Sequence, residues 1–506
     1  MTRHLITLMV FLPFLGALLQ AFLPTSQMVR GKFSISRWTA LGTSLASALC
    51  GVFLVIAMKL QLVDLPIQEI TPWIGSYAIS YDMALDGLNV LLVLLISIVF
   101  PLLVAAEWKQ KIGTQGLYGL LLVLQTAFLG AVCAQDLFLL FFFWALSALP
   151  FYFLIGIWGG ENRESAAFRT IVSASIGNAL LFCALILVYH ALEPHTFSLR
   201  ELSGGKLEDK VFQFLGSDFK VSTVAFILAS AGLTLRAPIW PFHGWFSQAA
   251  KEAPSPVFVA LSAVGVPVAM YIFTRLSYSL FPATLVQSAT VIVVIGGINL
   301  VMGGICALAQ KGLKQLSAYI CLSEVGMILI GIGSLNAAGV VGSVFQELSL
   351  GLGLAGFGLF AGLLFEKGGD ASFQNPDGES TYGGIVTYAP QMAMVAGVIV
   401  ASLLGFPGLS GFVGHALLLI GSYSIHPIVV ILAGLIFLLA SYFLFTMYRQ
   451  LFLGKNRKGL SFPDLSLREQ AFLLPLVASI LLFGIYPKPL IELVRPTVMS
   501  LLGTIK

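Results

Sequence analysis

The sequence predicts an all-α, polytopic membrane protein with about fourteen transmembrane helices. Three observations carry this. Hydrophobic residues make up 58% of the chain and charged residues only 10%, with a mean hydropathy of +0.95. Soluble domains carry about 25% charged residues, so lipid is the solvent for most of this chain. The apolar runs are long and recur, each near the roughly 20 residues that cross a hydrocarbon core. A β-barrel would instead show short segments of alternating polarity.

In chain order the expected spans are 5–23, 39–59, 86–106, 117–134, 136–158, 169–192, 222–248, 256–280, 285–309, 315–335, 339–366, 391–422, 426–452 and 471–495. The first follows "MTRH" and lacks a clear small-residue cleavage site, so it reads as a retained span rather than a signal peptide. Segments 60–85 and 193–221 are the long external connections. The polar stretch "EKGGDASFQNPDGESTYGG" reads as a cytoplasmic loop and a hinge between two halves. The basic stretch "RQLFLGKNRKGLSFPDLSLREQ" reads as a solvated loop near lipid headgroups.

Basic residues orient the chain. Sixteen of the 27 Lys and Arg follow odd-numbered spans, while nine lie at the termini or after even-numbered ones. Positive charge collects on the cytoplasmic side, so both termini are expected on the non-cytoplasmic side of a bacterial inner membrane. Lys251 and Glu252 are then a solvated loop end, and Lys311 and Lys314 are anchors at the cytoplasmic surface. Arg275 closes the eighth span, which leaves Arg236 as the one positive charge that topology does not explain.

The net charge of +4 carries no nucleic-acid signal. Five cysteines stand alone without a CxxC pair or a Cys/His cluster, which argues against metal or Fe–S ligation. No phosphate-cradling glycine loop lies between a strand and a helix, and glycine-rich "GLGLAGFGLFAG" sits within an apolar helix. The chain is therefore expected to hold no cofactor.

Two spans are interrupted. In "LTLRAPIWPFHGW", Pro238 and Pro241 each remove a backbone donor beside Arg236 and His243. In "LLGFPGLSGFVGHALLL", Gly405, Pro407 and Gly408 weaken the helix shortly before His415. Freed backbone groups survive at membrane depth only when buried in protein or lining a wet cavity. Interrupted helices in corresponding places of two halves point to a transport site. The first break lies within spans four to eight, the second fourth of five in spans nine to thirteen.

These stretches, with "DLFLLFFFWALSALPFYFLIG", "RAPIWPFHGWFSQAAKEAPSP", "ALAQKGLKQLSAYICLSEVGMILIGI", "LLFEK" and "GFPGLSGFVG", resemble the antiporter-like subunits of respiratory complex I over most of the chain. The resemblance implies two inverted five-helix repeats, each with one discontinuous helix. It divides the chain into N-terminal helices at 1–116, repeats at 117–284 and 285–452, and a C-terminal loop and helix at 453–506. It further implies proton translocation along a mid-membrane line of ionisable residues, coupled to electron transfer elsewhere. NADH, FMN, Fe–S clusters and quinone would belong to partner subunits, and no catalytic redox residue is expected here.

The sequence departs from the family where the path should run. The span-five glutamate is matched by Ala145, the lysine before the first break by Arg236, and the span-eight lysine by Pro267. The span-twelve ionisable residue is His415, a span-ten histidine corresponds to Glu324, and a span-eleven histidine to Leu350, with Glu347 a turn earlier. A buried lysine can release its proton near neutral pH, whereas arginine keeps its charge. The expected path residues are thus Arg236, His243, Glu324, Glu347 and His415, with Glu324 and Glu347 as partners for Arg236. His243, between aromatic neighbours, fits hydrogen-bonded packing equally well. Three function classes remain open: a proton-translocating subunit, a degenerate subunit kept as scaffold, and a subunit of a cation/proton antiporter, membrane-bound hydrogenase or inorganic-carbon uptake system.

Overall fold

Long apolar runs become helices in lipid because a helix satisfies its own backbone. The structure is a computed structural model that describes residues 4–23, 35–62, 66–109, 113–214, 217–369, 372–374, 381–456 and 461–505. Its helices begin with α1 (Leu5–Phe22), α2 (Ile35–Lys59), α3 (Val90–Ala106), α4 (Thr114–Cys133), α5 (Leu137–Leu146), α6 (Ala148–Trp158) and α7 (Arg163–His190). There follow α8 (Leu199–Leu202), α9 (Val221–Thr234), α10 (Gly244–Glu252), α11 (Ser255–Val259), α12 (Val266–Leu280) and α13 (Pro282–Leu308). The chain continues through α14 (Leu313–Gly333), α15 (Ala337–Gly368), α16 (Pro390–Leu403), α17 (Ser410–Tyr423) and α18 (Pro427–Tyr448). It ends with α19 (Leu467–Ile485) and α20 (Lys488–Gly503).

Among the described residues, twelve helical stretches are long and apolar enough to cross a membrane. Two more crossings are divided, α9 with α10 and α16 with α17, at the places where the sequence predicts breaks. The expected fourteen crossings are all present. Several boundaries differ. The fifth crossing is interrupted at Ser147, whose N–H and hydroxyl both turn back to Trp144 O. The fourteenth stops at Ile485 rather than 495, because Pro487 starts the separate helix α20. The eleventh is longer than expected, at 32 residues.

The two connections expected to be external are not featureless. Strands β1 (Ile67–Ile74) and β2 (Ile79–Leu85) form one antiparallel hairpin, and β3 (Val211–Phe214) and β4 (Ser217–Lys220) another. The helical fold class stands, with these two hairpins as additions. The first reaches back to the start of the chain: Glu69 accepts from the N–H groups of Ile6 (2.8 Å) and Thr7 (3.1 Å), capping α1 from 63 residues away.

Helix α12 is buried along its whole length, α14 from Ile320 to Gly333, and α15 from Gly339 to Ala361, so these three form the centre. Helix α18 is apolar and buries only Val430, Ala433, Leu444 and Met447, so it lies at the edge of the bundle. Close approach at the centre depends on small residues. A Cβ at Gly326 would lie 2.4 Å from Gly296 O and 2.5 Å from Leu300 N, so α13 and α14 touch backbone to backbone there. On the expected cytoplasmic face, Lys109 pairs with Glu366 and Lys367 with buried Glu469 at 2.8 Å, tying the ends of α3, α15 and α19 together.

The predicted hinge lies partly at 370–371 and 375–380, outside the described residues. Its described part is anchored, since Phe373 N donates to Lys311 O at 2.9 Å. The basic stretch after α18 starts as a π-turn at Arg449–Leu453, and its 457–460 segment also lies outside the described residues.

Replacing Gly326 by valine should force α13 and α14 apart and destabilise the fold by about 1–3 kcal/mol or more. A thermal unfolding midpoint well below that of Gly434→Ala, where an added Cβ meets nothing within 4 Å, is the expected result.

Candidate functional site

The first break runs from Leu235 to His243, between α9 and α10. Pro238 and Pro241 cannot donate, and the chain turns tightly, with Ile239 N bonded to Ala237 O and Phe242 N to Ile239 O, both at 2.8 Å. Ser173 Oγ donates to Leu235 O at 2.5 Å, and one amide on α13 bonds two further groups of the break. Asn299 accepts from Trp240 N at 2.8 Å and donates to Pro238 O (3.3 Å) and Leu322 O (2.7 Å).

Arg236 points from this break towards α5 and α7. Its guanidinium donates to Trp144 O (2.8 Å), Ser147 Oγ (2.7 Å) and Asn178 Oδ1 (3.2 Å), and stacks 3.8 Å from the centre of the Trp144 ring. Asn178 reaches it because α7 and α9 cross at Gly177 and Gly232, where a Cβ on either would lie 2.5 Å from the other's carbonyl. Trp144 O belongs to the last turn of α5, and Arg236 itself follows the end of α9. Helix C-termini carry partial negative charge, which suits a cation. This corrects the sequence reading, which paired Arg236 with Glu324 and Glu347. Neutral carbonyl, hydroxyl and amide oxygens hold it, and no acidic side chain among the described residues pairs with it.

The second break, between α16 and α17, is made differently. Gly405 and Gly408 take φ values of +64° and +88°, a region open to glycine at little cost. Its donors are met locally, with Phe406 N on Ala401 O (2.9 Å) and Gly405 N on Ser402 O (3.0 Å). Pro407 sits within this turn. The first residue of α17 is covered from α15, where Ser349 Oγ donates to Ser410 O at 3.0 Å.

Past this turn, His415 on α17 meets Glu324 on α14. Its Nε2 lies 2.9 Å from Oε2 and 3.0 Å from Oε1 of that carboxylate. Gln346 on α15 completes a triangle, donating to Glu324 Oε2 at 2.8 Å and lying 3.1 Å from His415 Nε2. All three side chains are buried. The opposite ring nitrogen, His415 Nδ1, has no protein partner and faces the break, where a Cβ on Gly405 would come within 3.1 Å of it.

Helix α14 joins the two breaks. The His243 ring lies 6.0 Å from the ring of Tyr319, edge on, five residues before Glu324. Glu347 is buried, yet neither of its oxygens has a partner, and it stays outside the triangle that its neighbour Gln346 completes. Leu350 is packed core, Ala145 is half-buried, and Pro267 follows a π-turn at Ala260–Gly265. The cytoplasmic expectations also need correction. Glu252 is buried and accepts from Asn162 N (3.0 Å), and Lys314 donates to Ala253 O (2.7 Å) instead of facing headgroups. Lys251 is exposed as expected.

Sequence reasoning missed Asn299, Gln346 and Asn178. Each is a lone amide within an apolar helix, and an intramembrane amide seeks a partner on a neighbouring helix. That signal was available.

The transmembrane family described as NADH:quinone oxidoreductase/Mrp antiporter matches residues 134–441. The chain is 28% identical to NADH-quinone oxidoreductase subunit M of Rhodobacter capsulatus, across 99% of this chain and 96% of that protein. It is 30% identical to an NAD(P)H-quinone oxidoreductase chain 4 of a Nostoc species, across 96% of this chain and 88% of that protein. Its fold matches a chain of respiratory complex I from Thermus thermophilus with a TM-score of 0.87 and 24% identity, over 99% of this chain and 100% of that one. It also matches a chain of the Mrp complex from a Dietzia species, with a TM-score of 0.82 and 20% identity, over 100% and 99% respectively.

Asn299→Ala leaves the Trp240 N–H without an acceptor and should destabilise the fold by about 1–3 kcal/mol. Thermal unfolding of the purified assembly checks this; an unchanged midpoint would mean that the first break is held by other contacts.

Proposed function

The chain belongs to the NADH:quinone oxidoreductase/Mrp antiporter transmembrane family, and we propose from that premise that it is the antiporter-like membrane subunit of a complex I-like assembly. In this reading protons cross at mid-membrane through the chain while electrons pass through partner subunits. Those partners hold NADH, FMN, Fe–S clusters and quinone, and this chain performs no redox chemistry. Both termini lie on the non-cytoplasmic side of a bacterial inner membrane, as the Lys and Arg distribution favours. The two breaks fall one in each of two five-helix units, 117–284 and 285–452.

One observation carries the reading: the buried Glu324, Gln346 and His415 triangle at the second break. An imidazole is the side chain that exchanges protons near neutral pH, and it has two distinct edges. Here one edge bonds a carboxylate and the other opens onto an interrupted helix. A proton taken at Nδ1 is matched by one released from Nε2 to Glu324, which moves charge without moving the backbone. Gln346 fixes the carboxylate so that the hand-over distance stays near 2.9 Å.

The first half contributes differently. Arg236 keeps its proton and cannot relay one. Its role is a fixed field beside the path, and His243 with Tyr319 is the connection towards Glu324. A second reading draws on the same half: with Ala145, Arg236 and Pro267 in place of the family's ionisable residues, the chain would be a scaffold that no longer pumps.

Assemblies carrying Glu324→Gln or His415→Ala, reconstituted in vesicles, separate the two. The expected result is fewer protons moved per electron in each variant, with the assembly intact. An unchanged ratio in both would overturn the path and leave the scaffold. Co-purification with mass spectrometry identifies the partners, and an assembly without an NADH-oxidising arm would overturn the complex I-like assignment.

A further inference from the structure

Arg236 has hydrogen-bond acceptors but, among the described residues, no counter-charge. Neutral oxygens solvate a guanidinium; they do not neutralise it, and a lone charge within a membrane bundle is costly. Beside it lies a small cavity of about 20 Å³, lined by Arg236, Trp144 and Trp245 together with Ala148, Thr170 and other residues of α6, α7 and the π-turn. That volume accommodates one water-sized particle.

Donors outnumber acceptors among the polar side chains of the wall. Both tryptophans carry buried indole N–H groups without an acceptor. An indole can only donate, and so can a guanidinium. The Thr170 hydroxyl donates to Ala166 O at 2.8 Å, so its oxygen is a neutral acceptor in this wall and carries no charge to offset the guanidinium. A cavity edged by a permanent cation and two unsatisfied donors, on a crossing where the acidic position of the family is Ala145, lacks one thing: a compact negative charge.

We propose that this cavity binds a single small monovalent anion of chloride size, which serves as the exchangeable counter-ion of Arg236. The anion accepts charge-assisted hydrogen bonds from the indoles, which are stronger than neutral ones, and cancels the charge that the helix ends only solvate. A water molecule would satisfy the indoles and leave the charge. Sulfate or an organic carboxylate is too large for the space. The site lies at the first break, apart from the Glu324 and His415 triangle, and does not depend on whether the chain moves protons.

The purified assembly in detergent provides the test, with its thermal midpoint followed in chloride, bromide or gluconate at constant ionic strength. An anion bound only to the folded state raises the midpoint saturably with concentration. Chloride and bromide should do so and gluconate should not. Trp245→Phe removes one donor and should raise the half-saturating chloride concentration roughly tenfold. Ala148→Asp places a carboxylate in the cavity wall and should make the midpoint independent of chloride while keeping it high in gluconate. Equal midpoints of the unaltered assembly in chloride and gluconate would overturn the proposal. So would a chloride curve left unmoved by Trp245→Phe, which decides the matter even where Ala148→Asp fails to assemble.

Discussion

A peptide group released from its helix inside hydrocarbon has no water to turn to, and every feature of this protein's interior follows from where such groups find partners. The two interruptions solve the problem in opposite ways. At the first, prolines displace the chain and a neighbour supplies the missing bonds through Asn299. At the second, glycines in the left-handed region let the chain turn back on itself, and the bonds are closed within the turn. A self-contained turn leaves adjacent helices free to present side chains of their own. The Glu324, Gln346 and His415 triangle occupies that freedom.

Charge follows the same division. In the first half a permanent cation sits among helix ends and aromatic faces, held by groups that cannot change protonation. In the second, a carboxylate and an imidazole share a buried interior at hydrogen-bonding distance, where passing a single proton between them alters the charge of both. Between them runs α14, whose Tyr319 faces one interruption while its Glu324 faces the other. A bundle built this way is electrostatically asymmetric although its architecture repeats.

The crossings and both interruptions were legible in the sequence, because lipid imposes length on an apolar helix and proline or glycine marks where one fails. Glu324 and His415 were legible as intramembrane ionisable groups. The company they keep was not. Nothing in sequence spacing places Gln346 against His415, or shows that Arg236 would find Trp144 O and Asn178 instead of an acid, since these bonds depend on how closely α7 meets α9. The hairpins escaped for another reason: strands of four to eight residues outside the membrane lack a long hydrophobic signature. Glu252 and Lys314 misled because charge near a loop reads as solvated, while here tertiary packing covers both.

The cap on α1 has a consequence for biogenesis. The N–H groups of Ile6 and Thr7 are satisfied by Glu69, which the ribosome delivers only after α2 has been made. The leading end of the first helix therefore gains these side-chain partners only once the β1–β2 hairpin has formed beside it. Capping of α1 thus depends on a contact that spans the whole of α2 in the chain.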